Sequence, residues 1–236
     1  MRLILVLFIV LCIVARVEAQ QMYILTVGVD YKAQKAGKHD QYAHDARDMK
    51  ALLEKKSAIP VAAAYCLAGK RAKLSAYLDK LGSIKKDAGE KDVVILYFSV
   101  HGGTGKKGNF SVNLTDVPLN GKALAKEFDS IKANVVLILD TCGAGGMLNH
   151  ASTNPRVCVM AGCKATEETS GGKRNPLHGY YSNAIYAAVS GVGKGGLTLR
   201  QLDRYLLDPR AVRDSEHQHA VSSVPKKMNS LKLFKR

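Results

Sequence analysis

The chain has 236 residues, 47% of them hydrophobic, with 35 Lys and Arg against 20 Asp and Glu and a formal charge of +15. That length suits one well-buried domain of ordinary size. The basic residues are scattered in pairs (Lys55-Lys56, Lys70-Arg71, Lys85-Lys86, Lys106-Lys107, Lys226-Lys227) without interleaved aromatics or a nucleic-acid motif, so they read as solvated surface, and no nucleic acid is expected as a partner.

The first segment decides the compartment. Arg2 is followed by an apolar run from Leu3 to Ala15 and then by Val17-Glu18-Ala19, a small-residue cleavage site. This predicts a secretory signal peptide over residues 1–19 and a domain over residues 20–236, secreted or otherwise extracytoplasmic. The run falls short of the about 20 apolar residues that span a bilayer comfortably. Beyond it, Cys66, Cys142, Cys158 and Cys163 remain, too sparse for a disulfide framework. Cys158 and Cys163 lie five apart in one expected strand, on opposite sides of it. Cys66, Cys158 and Cys163 read as small buried apolar residues. No CxxC pair is present and His217 and His219 lack partner ligands, so neither a zinc site nor another cofactor is expected.

From Met22 onward strand-like and helix-like stretches alternate. Residues 23–29 are a continuous apolar run of strand length, and residues 42–56 follow with Ala46, Met49, Leu52 and Leu53 on one helical face. A strand is expected over 61–67 and a helix over 71–86. Residues 93–100 (VVILYFSV) form the clearest strand. Their lack of polar alternation says that both faces are covered, as in a parallel sheet with helices on each side. A helix over 123–128 leads to a second such strand at 135–139. A strand over 156–163, helices over 178–192 and 199–207, and a final strand over 231–234 complete the series. The expectation is an α/β three-layer sandwich around a mostly parallel six-stranded sheet.

In such sheets the chemistry gathers beyond the carboxyl ends of the strands. The strand at 93–100 runs directly into His101-Gly102-Gly103, and the one at 135–139 into Asp140-Thr141-Cys142-Gly143-Ala144-Gly145-Gly146. A thiolate is the attacking species in cysteine catalysis, and a nearby imidazole favours it and later protonates the leaving amine. His101 and Cys142 suit these parts if their strands are neighbours. The backbone N–H groups of Gly102 and Cys142 are the natural donors to a developing oxyanion. A phosphate-binding reading of the glycines would want a P-loop lysine or the spacing G-x-G-x-x-G, and neither is present.

The stretches YFSVHGG and LILDTCGAGG resemble the paired histidine and cysteine motifs of the caspase-like clan of peptidases, in particular its metacaspase, paracaspase and orthocaspase branches. ILTVGVDY with AHDARDMKALL resembles the opening of those enzymes, and GYYSNAIYAAVSG with LTLRQLDRYLL their closing pair of helices. The resemblance implies a caspase-like fold, Cys142 as nucleophile, His101 as acid/base, and Asp45 and Asp140 as the acidic residues of a pocket for a basic side chain. Cleavage of peptides after Arg or Lys is the expected activity. A plainer reading has Asp45 capping its helix or pairing with Arg47 or His44.

Asp140-Thr141 stands where animal caspases carry Gln-Ala, which argues against aspartate-directed cleavage. The interval between His101 and Cys142 contains only Asp116, Glu127, Asp129 and Asp140 as acids, which argues against calcium activation. Two rivals accompany the reading: a non-catalytic caspase-fold module that binds a partner through the same cleft, and a peptidase of the legumain or gingipain kind. If the enzyme processes itself, cleavage is expected after Arg156, at the end of the polar segment 143–155, or after Lys173 or Arg174.

Overall fold

The computed structural model describes residues 19–29, 41–105, 108–151, 153–171, 178–212 and 217–236. The expected signal peptide therefore lies almost wholly outside the described residues, as do Lys106-Lys107 and Lys173-Arg174. Among the described residues, no helix is long and apolar enough to cross a membrane.

The elements follow the expected alternation. They are β1 (Met22–Gly28), α1 (Gln41–Lys56), β2 (Val61–Ala68), α2 (Leu74–Asp87), β3 (Val93–Ser99), β4 (Gly102–Thr104), β5 (Phe110–Asn113), β6 (Pro118–Asn120), α3 (Gly121–Asp129) and β7 (Asn134–Asp140). After these come α4 (Leu148–Ala151), β8 (Val157–Ala161), α5 (Tyr180–Ser190), β9 (Leu197–Thr198), α6 (Leu199–Leu207), β10 (Val221–Ser223) and β11 (Lys232–Phe234). The main sheet has six strands in the order β10-β8-β7-β3-β1-β2. All its pairings are parallel except that of β10 with β8.

Every residue of β1 and β3 is buried, because helices cover both sides. Val94, Leu96 and Phe98 of β3 join one core with Tyr77 and Leu81 of α2 and Leu124 and Phe128 of α3. Val93, Ile95 and Tyr97 join the other with Met49 and Leu53 of α1 and Ile185 and Val189 of α5. Each fully buried aliphatic or aromatic side chain contributes about 1.5–3 kcal/mol relative to exposure, so the central strands hold the edge that follows them firmly in place. Cys158 and Cys163 are both buried free thiols in opposite cores. Cys66 is only half-buried, since β2 is an edge strand.

The last strand of the sheet differs from the expectation. Residues 231–234 do supply a strand, but β11 pairs antiparallel with β9 in a separate ribbon. The sixth strand is β10, whose Val-Ser-Ser carries too little apolar sequence to announce itself. The small sheet β4-β5-β6 was also hidden, in a stretch rich in Gly and Asn. Helix α2 begins at Leu74, later than expected, because Gly69–Arg71 first makes a 3-10 turn with Gly69 at φ 62°.

Candidate active site

Strands β3 and β7 are adjacent and parallel, with Ser99 opposite Asp140. Two residues beyond that pair come His101 on one strand and Cys142 on the other, at the same height and both half-buried. The two sequence motifs thus emerge side by side from the carboxyl edge of the sheet.

The loop around the thiol is shaped by glycine. Gly143 has φ 65°, and a Cβ there would overlap the Thr104 backbone nitrogen and Gly103, so only glycine fits. Gly143 N–H donates to Glu167 O at 2.8 Å, Gly145 N–H donates to Cys163 O at 2.9 Å, and Thr104 Oγ1 donates to Gly143 O at 2.8 Å. The Cys142 sulfur lies 3.9 Å from Thr169 O and 4.0 Å from Thr169 Oγ1. The segment after β8 is held against this loop by Gln218, which accepts from Ser170 N–H and donates to Gly162 O. The first part of the segment 143–155 is therefore no exposed loop, since Gly143 to Met147 are buried and a 3-10 turn leads into α4, whereas Thr153 and Pro155 are exposed and Arg156 is partly buried.

Asn113 N–H donates to His101 O at 2.8 Å. Hydrogen-bonded and non-bonded positions alternate along an antiparallel pair, so the Gly102 N–H is directed away from β5, toward the side of β4 against which Gly143 packs. The Gly143 N–H, by contrast, is committed to Glu167 O. The His101 ring has its Nδ1 3.3 Å from Tyr42 Oη of α1, and the two rings meet edge to face at 4.9 Å. Burial lowers the His101 pKa, which favours the neutral imidazole a general base needs.

Asp45 and Asp140 come together on the α1 and α5 side of the sheet, both buried (0% and 3% exposed). Asp45 neither caps α1 nor turns to its sequence neighbours. Its Oδ2 accepts from Ser99 Oγ at 2.7 Å and from Gly179 N–H at 3.4 Å, and its Oδ1 faces His178 Nδ1 at 2.6 Å. Asp140 Oδ2 accepts from Ser182 Oγ at 2.5 Å and Ser182 N–H at 3.1 Å, and Ser182 Oγ also meets Tyr97 Oη at 2.5 Å. Burial pushes the Asp45 carboxyl up, and the hydrogen bonds from His178 and Ser99 pull it part of the way back. Burial, with the neighbouring Asp45 charge, pushes Asp140 up to about 7. Asp140 thus holds its proton through the acidic range, while Asp45 is the carboxyl that gathers Ser99, Gly179 and His178 around it.

Tyr42, Ser99, Thr169, His178 and Ser182 were missed by reading the sequence. Only Ser99 carried a signal that could have found it, since it sits two residues before His101 as Asp140 does before Cys142. The others approach from the first helix, the loop after β8 and the start of α5, and no local pattern marks them.

Fold and site together define a cysteine peptidase of the caspase and legumain type. The chain belongs to the Peptidase C13 family, whose model matches residues 65–188, from β2 through most of α5 and including His101, Cys142 and His178. The match lies on the legumain side of the clan, the side weighed above as a rival to the metacaspase branch. Among solved structures, the crystal structure of protein GSU0716 from Geobacter sulfurreducens is similar over 92% of this chain and 98% of that one, with a TM-score of 0.67 and 16% identity. That likeness is one of fold. Curated proteins gave no match.

Proposed function

We propose that the chain is a secreted endopeptidase that uses His101 and Cys142 as a catalytic dyad and cleaves after arginine or lysine. The observation that carries this reading is the in-register pairing of β3 with β7. It supports a thiol and an imidazole leaving the sheet side by side, and below them it sets Asp140 next to Ser99, the residue that donates to Asp45 of α1.

In this reading His101 takes the Cys142 proton and the thiolate attacks the scissile carbonyl. The N–H groups of Gly102 and Cys142 receive the oxyanion, and His101 returns the proton to the leaving amine. Water then attacks the thioester with His101 again as base, freeing the acid product and the thiol. Tyr42 restrains the imidazole plane. Basic substrates are favoured because two carboxyl groups share a buried site, and an incoming cation stabilises the ionised forms of both. An arginyl guanidinium adds forked hydrogen bonds.

The test is a panel of peptides differing only in the residue before the scissile bond, run on the wild-type protein beside Cys142→Ala. Arginyl and lysyl peptides should be hydrolysed fastest, and the variant should cleave none of them. Faster hydrolysis of an aspartyl or asparaginyl peptide than of the arginyl one would overturn the specificity.

A further inference from the structure

The acidic pair does not stand open. Asp45 is fully buried and already holds a partner: the His178 side chain, 11% exposed, has Nδ1 2.6 Å from Asp45 Oδ1 and Nε2 3.4 Å from Asp48 Oδ2. A neutral imidazole has one N–H and one bare nitrogen, and a bare nitrogen facing a carboxylate is repelled. With Nδ1 hydrogen-bonded to Asp45 and Nε2 at ion-pair distance from Asp48, the geometry suits an imidazolium. The ring also stacks on Tyr186 of α5, centroids 4.7 Å apart at 30°. Among the described residues, the charged and titratable groups around it are Asp45 and Asp48 of α1, Asp140 of β7 and Tyr186 of α5. Ser99 and Ser182 complete the surroundings of the two buried carboxyls without adding charge.

We propose that His178 is a specificity-determining residue of this site: its imidazolium occupies Asp45 as an internal counter-cation, and an arginyl substrate enters by displacing it. The proposal rests on the basic-specificity reading above. When the guanidinium takes Asp45 Oδ1, the ring swings out beside Asp48, which is half exposed. Away from the buried carboxylate its affinity for a proton returns toward the ordinary value near 6.5, and the proton leaves to water. Binding of a cation is then coupled to release of a proton. Neutral side chains cannot exchange charge with the ring, so they leave Asp45 closed. Arginine should compete better than lysine, because a fork can replace the lost Nδ1 donor while reaching a second acceptor, whereas an ammonium acts as a point charge.

Asp140 also ionises near neutral pH and strengthens cation binding in the same direction, so the pH dependence of KM alone would not single out His178. A residue-specific measurement does. Agmatine, a guanidinium that cannot be cleaved, is titrated into the ¹⁵N-labelled wild-type protein at pH 6.5 while the imidazole nitrogens are followed by NMR. The His178 signals should move from the doubly protonated positions about halfway to the neutral ones at saturation. In His178→Gln, agmatine should bind at least fivefold more tightly than in wild type at pH 6, with the advantage gone by pH 8.5. The inference is overturned if agmatine binds while His178 stays doubly protonated, or if the variant binds it more weakly at pH 6. If agmatine fails to bind the wild type at millimolar concentration while a neutral ketone probe still labels Cys142, the basic-specificity reading itself falls and the inference goes with it. The NMR titration needs no variant, so a misfolded His178→Gln does not shelter the proposal.

Discussion

His101 and Cys142 stand half-buried at the ends of two adjacent strands, whereas Asp45, Asp140 and His178 lie buried on the α1 and α5 face of the same two strands. The first pair is held by backbone: glycines, strand register and carbonyls of neighbouring loops fix where the side chains start. The second group is held by side chains from three separate segments, each satisfying another's charge. Side chains in the first region can be changed without leaving an orphaned charge inside the protein. In the second, any change leaves a buried partner unpaired, which is costly. Reactivity and selectivity are therefore expected to separate by mutation, with stability tied to the second.

The sharpest test of this division is at the strand ends. Cys142→Ala or His101→Ala should lower turnover by about 10³-fold or more, since members of a nucleophile-base unit act together. The melting temperature should barely move, because neither side chain is fully buried. Rates and thermal melts measured on the same preparations decide it. A large loss of stability in either variant would erase the contrast between the two regions.

Gly179→Ala probes the acidic side. A Cβ there would overlap Asp140 Oδ2, against which the glycine packs, while the backbone N–H of the same residue serves Asp45. Overpacking of this kind costs about 1–3 kcal/mol. Chemical denaturation should show that loss, and KM for an arginyl peptide should rise while labelling of Cys142 by iodoacetamide continues at nearly the wild-type rate.

The effect most specific to the electrostatics concerns Asp140. Its folded pKa of about 7 lies above the ordinary carboxyl value of 3.8, so the folded state binds the extra proton between those limits. The stability this contributes is fully present below pH 3.8 and is lost as pH rises through 7, with a slope of up to about 1.4 kcal/mol per pH unit. Asp140→Asn keeps an acceptor for Ser182 and removes the titration. Its stability relative to wild type should therefore increase from pH 5 to pH 8. Parallel pH profiles for the two proteins would mean that Asp140 is ionised throughout and that its pairing with Asp45 has been misjudged.

The legible part of this protein is what depends on local apolar sequence. Continuous runs such as VVILYFSV and VVLIL can only be buried on both faces, which forces a parallel sheet with helices outside it. The sheet in turn sends His101 and Cys142 to one edge. Helix α1 and helix α6 announced themselves by spacing in the same way. The ribbon of β9 with β11, the polar strand β10 and the small sheet β4-β5-β6 did not, because short polar strands take their stability from pairing and leave no periodic trace. The partner of Asp45 belongs to the same class. A carboxylate in a sequence advertises its charge but not what neutralises it, and His178 lies 133 positions away along the chain. Sequence alone thus determined the sheet and the edge from which His101 and Cys142 emerge. The tertiary structure decided that Asp45 and Asp140 are buried and that Asp45 is paired with His178, because an ionisable group can be removed from water only where folding supplies it a partner.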